Sequence, residues 1–260
     1  MTRKIAELSG PAVAGSFGPG TIVVQPMGAI EHHGPHLPLI TDALMADEIA
    51  TAAVERAAAD GLDVWQLPTI AYTKSDEHSW APGTVWLDSE TAFETFVQVG
   101  RAVSLMGAGT LVYANGHGGN TALLQVVLRE VRKRYGLKTF LMPTLTRAPA
   151  PGGEDRDEHG LGIHGGAAET SMVMHLRPEL VDLAGVDNWA PPHLAEFEYI
   201  RFNGGPVSFG WLSNDFGTPG VVGDPRHASA EFGAALWQAS VDQAAASLAE
   251  IARFDPMAAR

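Results

Sequence analysis

The 260-residue sequence contains no cysteine. That absence excludes disulfides, thiolate zinc sites, iron–sulfur clusters and a cysteine nucleophile together, so any metal must be held by His, Asp and Glu. Basic residues are scarce as well, with 17 Lys and Arg against 30 Asp and Glu and a formal net charge of −13. Such a field repels phosphate backbones, which argues against nucleic acid as a partner, and it favours cations. No run approaches the roughly 18 apolar residues of a membrane span. The stretch "MTRKIAELSGPAVAGSFGPG" also lacks the apolar core of a signal peptide. A soluble, cytoplasmic protein with no membrane partner is expected. There is no G-x-S-x-G elbow and no conspicuous Ser-His-Asp set, so serine nucleophilic catalysis has no support.

What is present is a 45% apolar chain in which strand-like and helix-like segments alternate. Residues 21–30, 63–70, 110–115 and 138–145 are short, apolar and β-branched. Residues 43–60, 89–106 and 121–135 carry helical patterns, and 228–253 read as a last long amphipathic helix. Buried strands alternating with helices predict parallel β-α units. No repeat, linker or low-complexity tract divides residues 1–260, which are read as one domain. Residues 150–160 form an acidic loop rich in Pro and Gly, and turn signals crowd 180–226.

The unusual residues follow the predicted strands. "EHHGPHLPLITD" (31–42) follows the first, "KSDEHSWAPGT" (74–84) the second and "NGHGGN" (115–120) the third. In a parallel sheet, loops at the carboxyl ends of strands converge on one crevice. If the chain is extended after the first strand, Glu31 and His33 point one way and His32 the other. Asp42 opens a helix, where it is either an N-cap or a ligand. His117 sits at the tip of a glycine turn, in a ligand or catalytic role or in a plain tight turn. Glu169, in "HGGAAETSMVMHL" (164–176), has apolar neighbours, so its carboxylate is expected on a largely buried face, where it needs a cation or donors. His175 is expected in the core. His78, Trp80 and Gly118 are the candidate substrate-binding residues, with a surface turn as the alternative for the loop around Trp80. Three carboxylates and two neutral histidines against two divalent cations leave one positive charge, which a bridging hydroxide neutralises. That balance fits a two-metal hydrolytic site with ions roughly 3.5–4 Å apart. A single metal held by two His and one carboxylate is the lesser alternative.

"GAIEHHGPHLPLITD", "APGT", "NGHGGN" and "HGGAAETS" together resemble the creatininase (creatinine amidohydrolase) family over nearly the whole chain. The resemblance implies a three-layer α/β/α sandwich with a mostly parallel central sheet. It also implies two divalent metal ions (Zn, Mn or Fe) and a homo-oligomer, a hexamer in many members. By the resemblance, Glu31, His33, Asp42 and His117 match metal ligands with Asp42 as the bridge, and His164 matches a histidine that assists proton transfer. Creatininase proper has an aromatic residue and a metal-binding Glu directly after the loop histidine, where this chain has Gly118 and Gly119. Glu169 is the candidate for the missing ligand and for a catalytic part beside His164.

The expected function is hydrolysis of a C–N bond in a small amide, cyclic amide or formamide by metal-activated hydroxide. One alternative is a peptidase acting on a modified peptide such as a mycofactocin-type precursor, with 150–160 and 180–226 as its peptide surface. The other is a catalytically inert metal-binding relative.

Overall fold

Ile22–Met27 is apolar except for Gln25 because it is covered on both faces, and all six residues are buried. It forms β1 of an all-parallel sheet with β2 (Val64–Gln66), β3 (Thr110–Asn115) and β4 (Lys138–Pro143), in the order β2-β1-β3-β4. The computed structural model describes residues 2–146, 161–202 and 205–256. The 150–160 acidic loop therefore lies outside the described residues.

The helices are α1 (Gly10–Val13), α2 (Thr41–Ala59), α3 (Ser89–Leu105), α4 (Thr121–Tyr135), α5 (Ala167–Leu176) and α6 (Ala230–Arg253). Successive strand side chains point to opposite faces, so Ile22 and Val24 enter one core while Val23 and Met27 enter the other. Helices α2, α5 and α6 cover the first face with Met45, Ile49, Ala53, Met172, Leu236 and Leu248. Helices α3 and α4 cover the second with Phe96, Val103, Leu124, Val127 and Val131. Each large side chain so buried contributes about 1.5–3 kcal/mol. The layers are those of the expected α/β/α sandwich. No helix among the described residues is long and apolar enough to cross a membrane.

The order places β1 between β2 and β3, so the chain leaves the ends of β1 and β3 in different directions and a crevice opens there. Two local features differ from what the sequence predicts. The strand expected over 63–70 stops at Gln66 because Pro68 has no N–H for the ladder. Its carbonyl instead accepts from Gln25 Nε2 at 2.8 Å, and the chain rejoins β1 only at the Met27–Ile70 bridge. His175 is exposed rather than in the core, because the last turn of α5 emerges beside α6 and the imidazole lies against Trp237.

Candidate metal centre

Glu31 and His33 come from the loop after β1, Asp42 from the first turn of α2, and His117 from the turn after β3. Asp42 is not an N-cap. Ile40 holds that position, and Thr41 Oγ1 donates to the Pro38 carbonyl at 2.7 Å. The Asp42 side chain is thereby free to face the crevice. His164 is fixed by paired backbone hydrogen bonds with Val222, and Glu169 stands on the first turn of α5. Gly165 N–H donates to Glu169 Oε2 at 2.7 Å. Glu169 keeps 17% of its side-chain surface exposed, so it sits at the edge of the cluster where the sequence suggested fuller burial.

Asp42 joins the two sides. Its Oδ1 lies 3.2 Å from His33 Nε2, and its Oδ2 lies 2.9 Å from His117 Nδ1. Glu31 Oε2 is 3.2 Å from His117 Nδ1, and Glu169 Oε2 is 3.9 Å from His33 Nε2. The outer nitrogens of three rings are spent on carbonyls, which can only accept. His33 Nδ1 donates to Glu31 at 3.1 Å, His117 Nε2 to Lys74 at 2.8 Å and His164 Nε2 to His32 at 2.7 Å. Each inner nitrogen thereby faces the carboxylates, where it can carry a proton or, once that proton is displaced, ligate a cation, which is how metal-binding histidines are oriented. Among the described residues, His33 Nε2 and Asp42 Oδ2 are buried with no well-formed hydrogen bond, only these close contacts inside the cluster. Donor atoms of Glu31, Asp42 and His117 lie within 4.8 Å of one another, as do those of His33, His164 and Glu169. Donor atoms of Glu31, His78 and His164 form a third such group, and hard oxygens with imidazole nitrogens in this arrangement fit divalent metal binding.

The protonation pattern agrees. Burial pushes the Glu31 carboxyl up, but the His117 charge prevails and holds it at about 2. Burial likewise opposes ionisation of Asp42, yet His33 and His117 hold it far below the usual carboxylate range. Burial would lower His33, but Asp42 draws it up to about 10, and Glu31 and Asp42 raise His117 against the same burial. Protonated imidazoles are therefore balancing buried carboxylates, a task that a cation takes over when it displaces those protons. Burial lifts Glu169 to about 7 against the opposing pull of His33. Burial, with the His33 and His78 charges, drives His164 well down, so it is neutral at pH 7.

The remaining expected residues fall differently. His78 is buried inside the cluster, with Nε2 3.5 Å from Glu31 Oε1 and its ring 4.1 Å from that of His164. Gly118 lines the cavity above the cluster. Trp80 does not line it: Nε1 donates to Ser213 Oγ at 2.8 Å and the ring packs edge-on to His32, which points away to the Pro219 carbonyl. Ser75 and Glu77 were not singled out from sequence. Ser75 Oγ donates to Glu31 Oε2 at 2.6 Å, and Glu77 Oε1 lies 3.4 Å from His117 Nε2. Their only sequence signal is the density of polar residues in "KSDEH".

Comparisons with known proteins bear on this geometry. The family model described as creatininase, creatinine amidohydrolase, matches residues 6–248. A mycofactocin precursor peptide peptidase of Mycobacterium ulcerans is 31% identical over 240 residues, covering 90% of this chain and 86% of that protein. A creatinine amidohydrolase of Pseudomonas putida is 27% identical over 241 residues, covering 88% and 89%. A solved mutant creatininase complexed with creatine superposes with a TM-score of 0.75 at 23% identity, covering 98% of this chain and all of that one. Manganese and zinc–zinc forms of creatininase share this fold.

Proposed function

The chain belongs to the creatininase family of hydrolases, and from that premise we propose that it cleaves the C–N bond of an amide at two divalent cations. Glu31, Asp42 and His117 would hold one ion, and His33, Glu169 and the shared Asp42 the other. The observation that carries this reading is the two-sided contact of Asp42, one oxygen towards His33 and the other towards His117. When bound, such an ion pair supplies Lewis acidity to an amide carbonyl and lowers the pKa of water towards neutrality.

The chain's own groups supply orientation and proton transfer. Ser75 fixes one oxygen of Glu31, and the Gly165 N–H fixes one of Glu169. His164 is neutral with its proton on Nε2, held by the His32 carbonyl. Its Nδ1, 3.6 Å from Glu31 Oε1, can accept a proton and pass it to the leaving nitrogen.

A small amide, cyclic amide or formamide is the first substrate class. A peptide is the second, and two observations favour it. The cavity above the cluster has a volume of about 640 Å³, within the range of pockets for ligands well beyond a single small amide. The similarity to the named peptidase also exceeds that to the named creatinine amidohydrolase. The deciding experiment strips the protein with a chelator, restores Zn or Mn, and compares small amides with peptides. Amide hydrolysis that survives complete metal removal would sink the reading.

A further inference from the structure

One wall of the cavity has no part in the proton and metal chemistry described above. It is built by Phe202, Phe209 and Trp211, with Ile163 and Leu212 beside them. Phe202 is buried and locks the others: its ring centroid is 5.4 Å from both Phe209 and Trp211, and 5.2 Å from Phe216 behind. Phe209 and Trp211 are only half-buried. A satellite core would bury such rings fully, whereas these turn part of their surface to the cavity that contains Glu31, Asp42, His117 and His164.

The wall is held in register with the cluster. Val222, in the same apolar group as Phe202, exchanges backbone hydrogen bonds with His164 at 2.9 and 3.1 Å. The Trp80–Ser213 hydrogen bond ties the segment just beyond Trp211 to the loop that carries His78. The lining beside it is acidic, with Asp76 and Glu77 on the loop that carries His78. Lys74 is the one Lys or Arg among the described lining residues, and its Nζ is taken by Asp76 at 2.6 Å and Glu77 at 3.2 Å. A carboxylate or phosphate on the ligand would meet net negative charge there.

We propose that Phe202, Phe209 and Trp211 form a subsite for an uncharged aromatic group attached close to the amide that lies over the cluster. Stacked or edge-on rings suit such a wall, and the acidic residues elsewhere in the lining disfavour anionic substituents. The proposal rests on the amide-hydrolase reading for the position of the amide, although the subsite can be measured by binding alone.

The test uses the metal-loaded protein and two matched probe pairs, phenylacetamide with acetamide and N-benzylacetamide with N-methylacetamide. Dissociation constants come from ligand-observed NMR titration, with hydrolysis followed separately. At least one aromatic member should bind about tenfold or more tightly than its partner. Phe209→Ala and Trp211→Ala should each collapse that margin. Trp211→Leu, a milder change to the fold, should leave an intermediate margin. Equal binding within both pairs, or a margin untouched by folded variants, overturns the subsite. An aromatic margin without hydrolysis of any amide would uphold the subsite and sink the amide-hydrolase reading. Hydrolysis without a margin would do the reverse.

Discussion

Gly119 and Glu77 compete for one space: a Cβ added at position 119 would collide with Oε1 of Glu77 and press on Nε2 of His117. The space beside Gly119, where the creatininase pattern has a Glu, holds the Glu77 carboxylate, which faces Nε2 of His117 and not the Nδ1 that meets Glu31 and Asp42. Gly119→Ala must push Glu77 away and tilt the His117 ring, whose Nδ1 faces Glu31 and Asp42. Overpacking of this kind costs about 1–3 kcal/mol, or several degrees of melting temperature. Gly118→Ala meets nothing within 4 Å and should melt with the wild type. Thermal melts of both variants, with metal content by elemental analysis, check the contrast. Equal melting would mean that Glu77 yields without effort.

Asp42 and His32 make the second contrast. Asp42→Ala removes a carboxylate with one oxygen towards His33 and the other towards His117, so neither ion should be retained after dialysis. His32→Ala removes a ring that points to the Pro219 carbonyl, away from the cluster, and both ions should remain. Elemental analysis of the dialysed proteins reads this directly. The reverse result would overturn the assignment of sides along the Glu31–His33 segment.

That segment also shows how far the sequence could be read. Alternation after β1 was enough to separate Glu31 and His33 from His32, because an extended backbone has a strict period of two. The four strands and their helices were legible for the same kind of reason, since burial on both faces leaves continuous apolar runs. Ser75, Glu77 and the depth of His78 were not legible. They lie in a loop with no periodicity, and their positions depend on where Pro68 releases the chain and where the Met27–Ile70 and Thr73–Trp86 bridges catch it again. Trp80, expected at the substrate, stands outside the cavity lining for a related reason: its hydrogen-bond partner Ser213 lies 133 residues away.

His164 belongs by distance to a donor group with His33 and Glu169, yet it is assigned here to proton transfer. The two roles separate in His164→Gln. If the ring moves protons, kcat should fall by about 10²–10⁴-fold while both ions stay bound. Loss of one ion with the loss of activity would make His164 a ligand instead. Steady-state kinetics and elemental analysis on the same preparation distinguish them.

His36 gives a prediction that needs no metal. Its Nε2 donates to the Gly165 carbonyl at 3.0 Å, and its Nδ1 is buried with no hydrogen-bond partner among the described residues. A proton added at Nδ1 would find no acceptor, and burial accordingly holds this imidazole down at about 4. In the unfolded chain it titrates near 6.5. Between those values the unfolded state binds more protons than the folded one, so stability falls as the pH drops from about 6.5 to about 4. The loss due to His36 is on the order of 2 kcal/mol after allowance for partial solvent screening. Other groups titrate in the same range, so the measurement is the difference between wild type and His36→Gln in denaturant midpoints across pH 4–8. The variant should be less stable at pH 8, where it lacks the fitted ring, and the gap should narrow on acidification. A gap that is constant with pH would show that the folded protein accepts the His36 proton without strain.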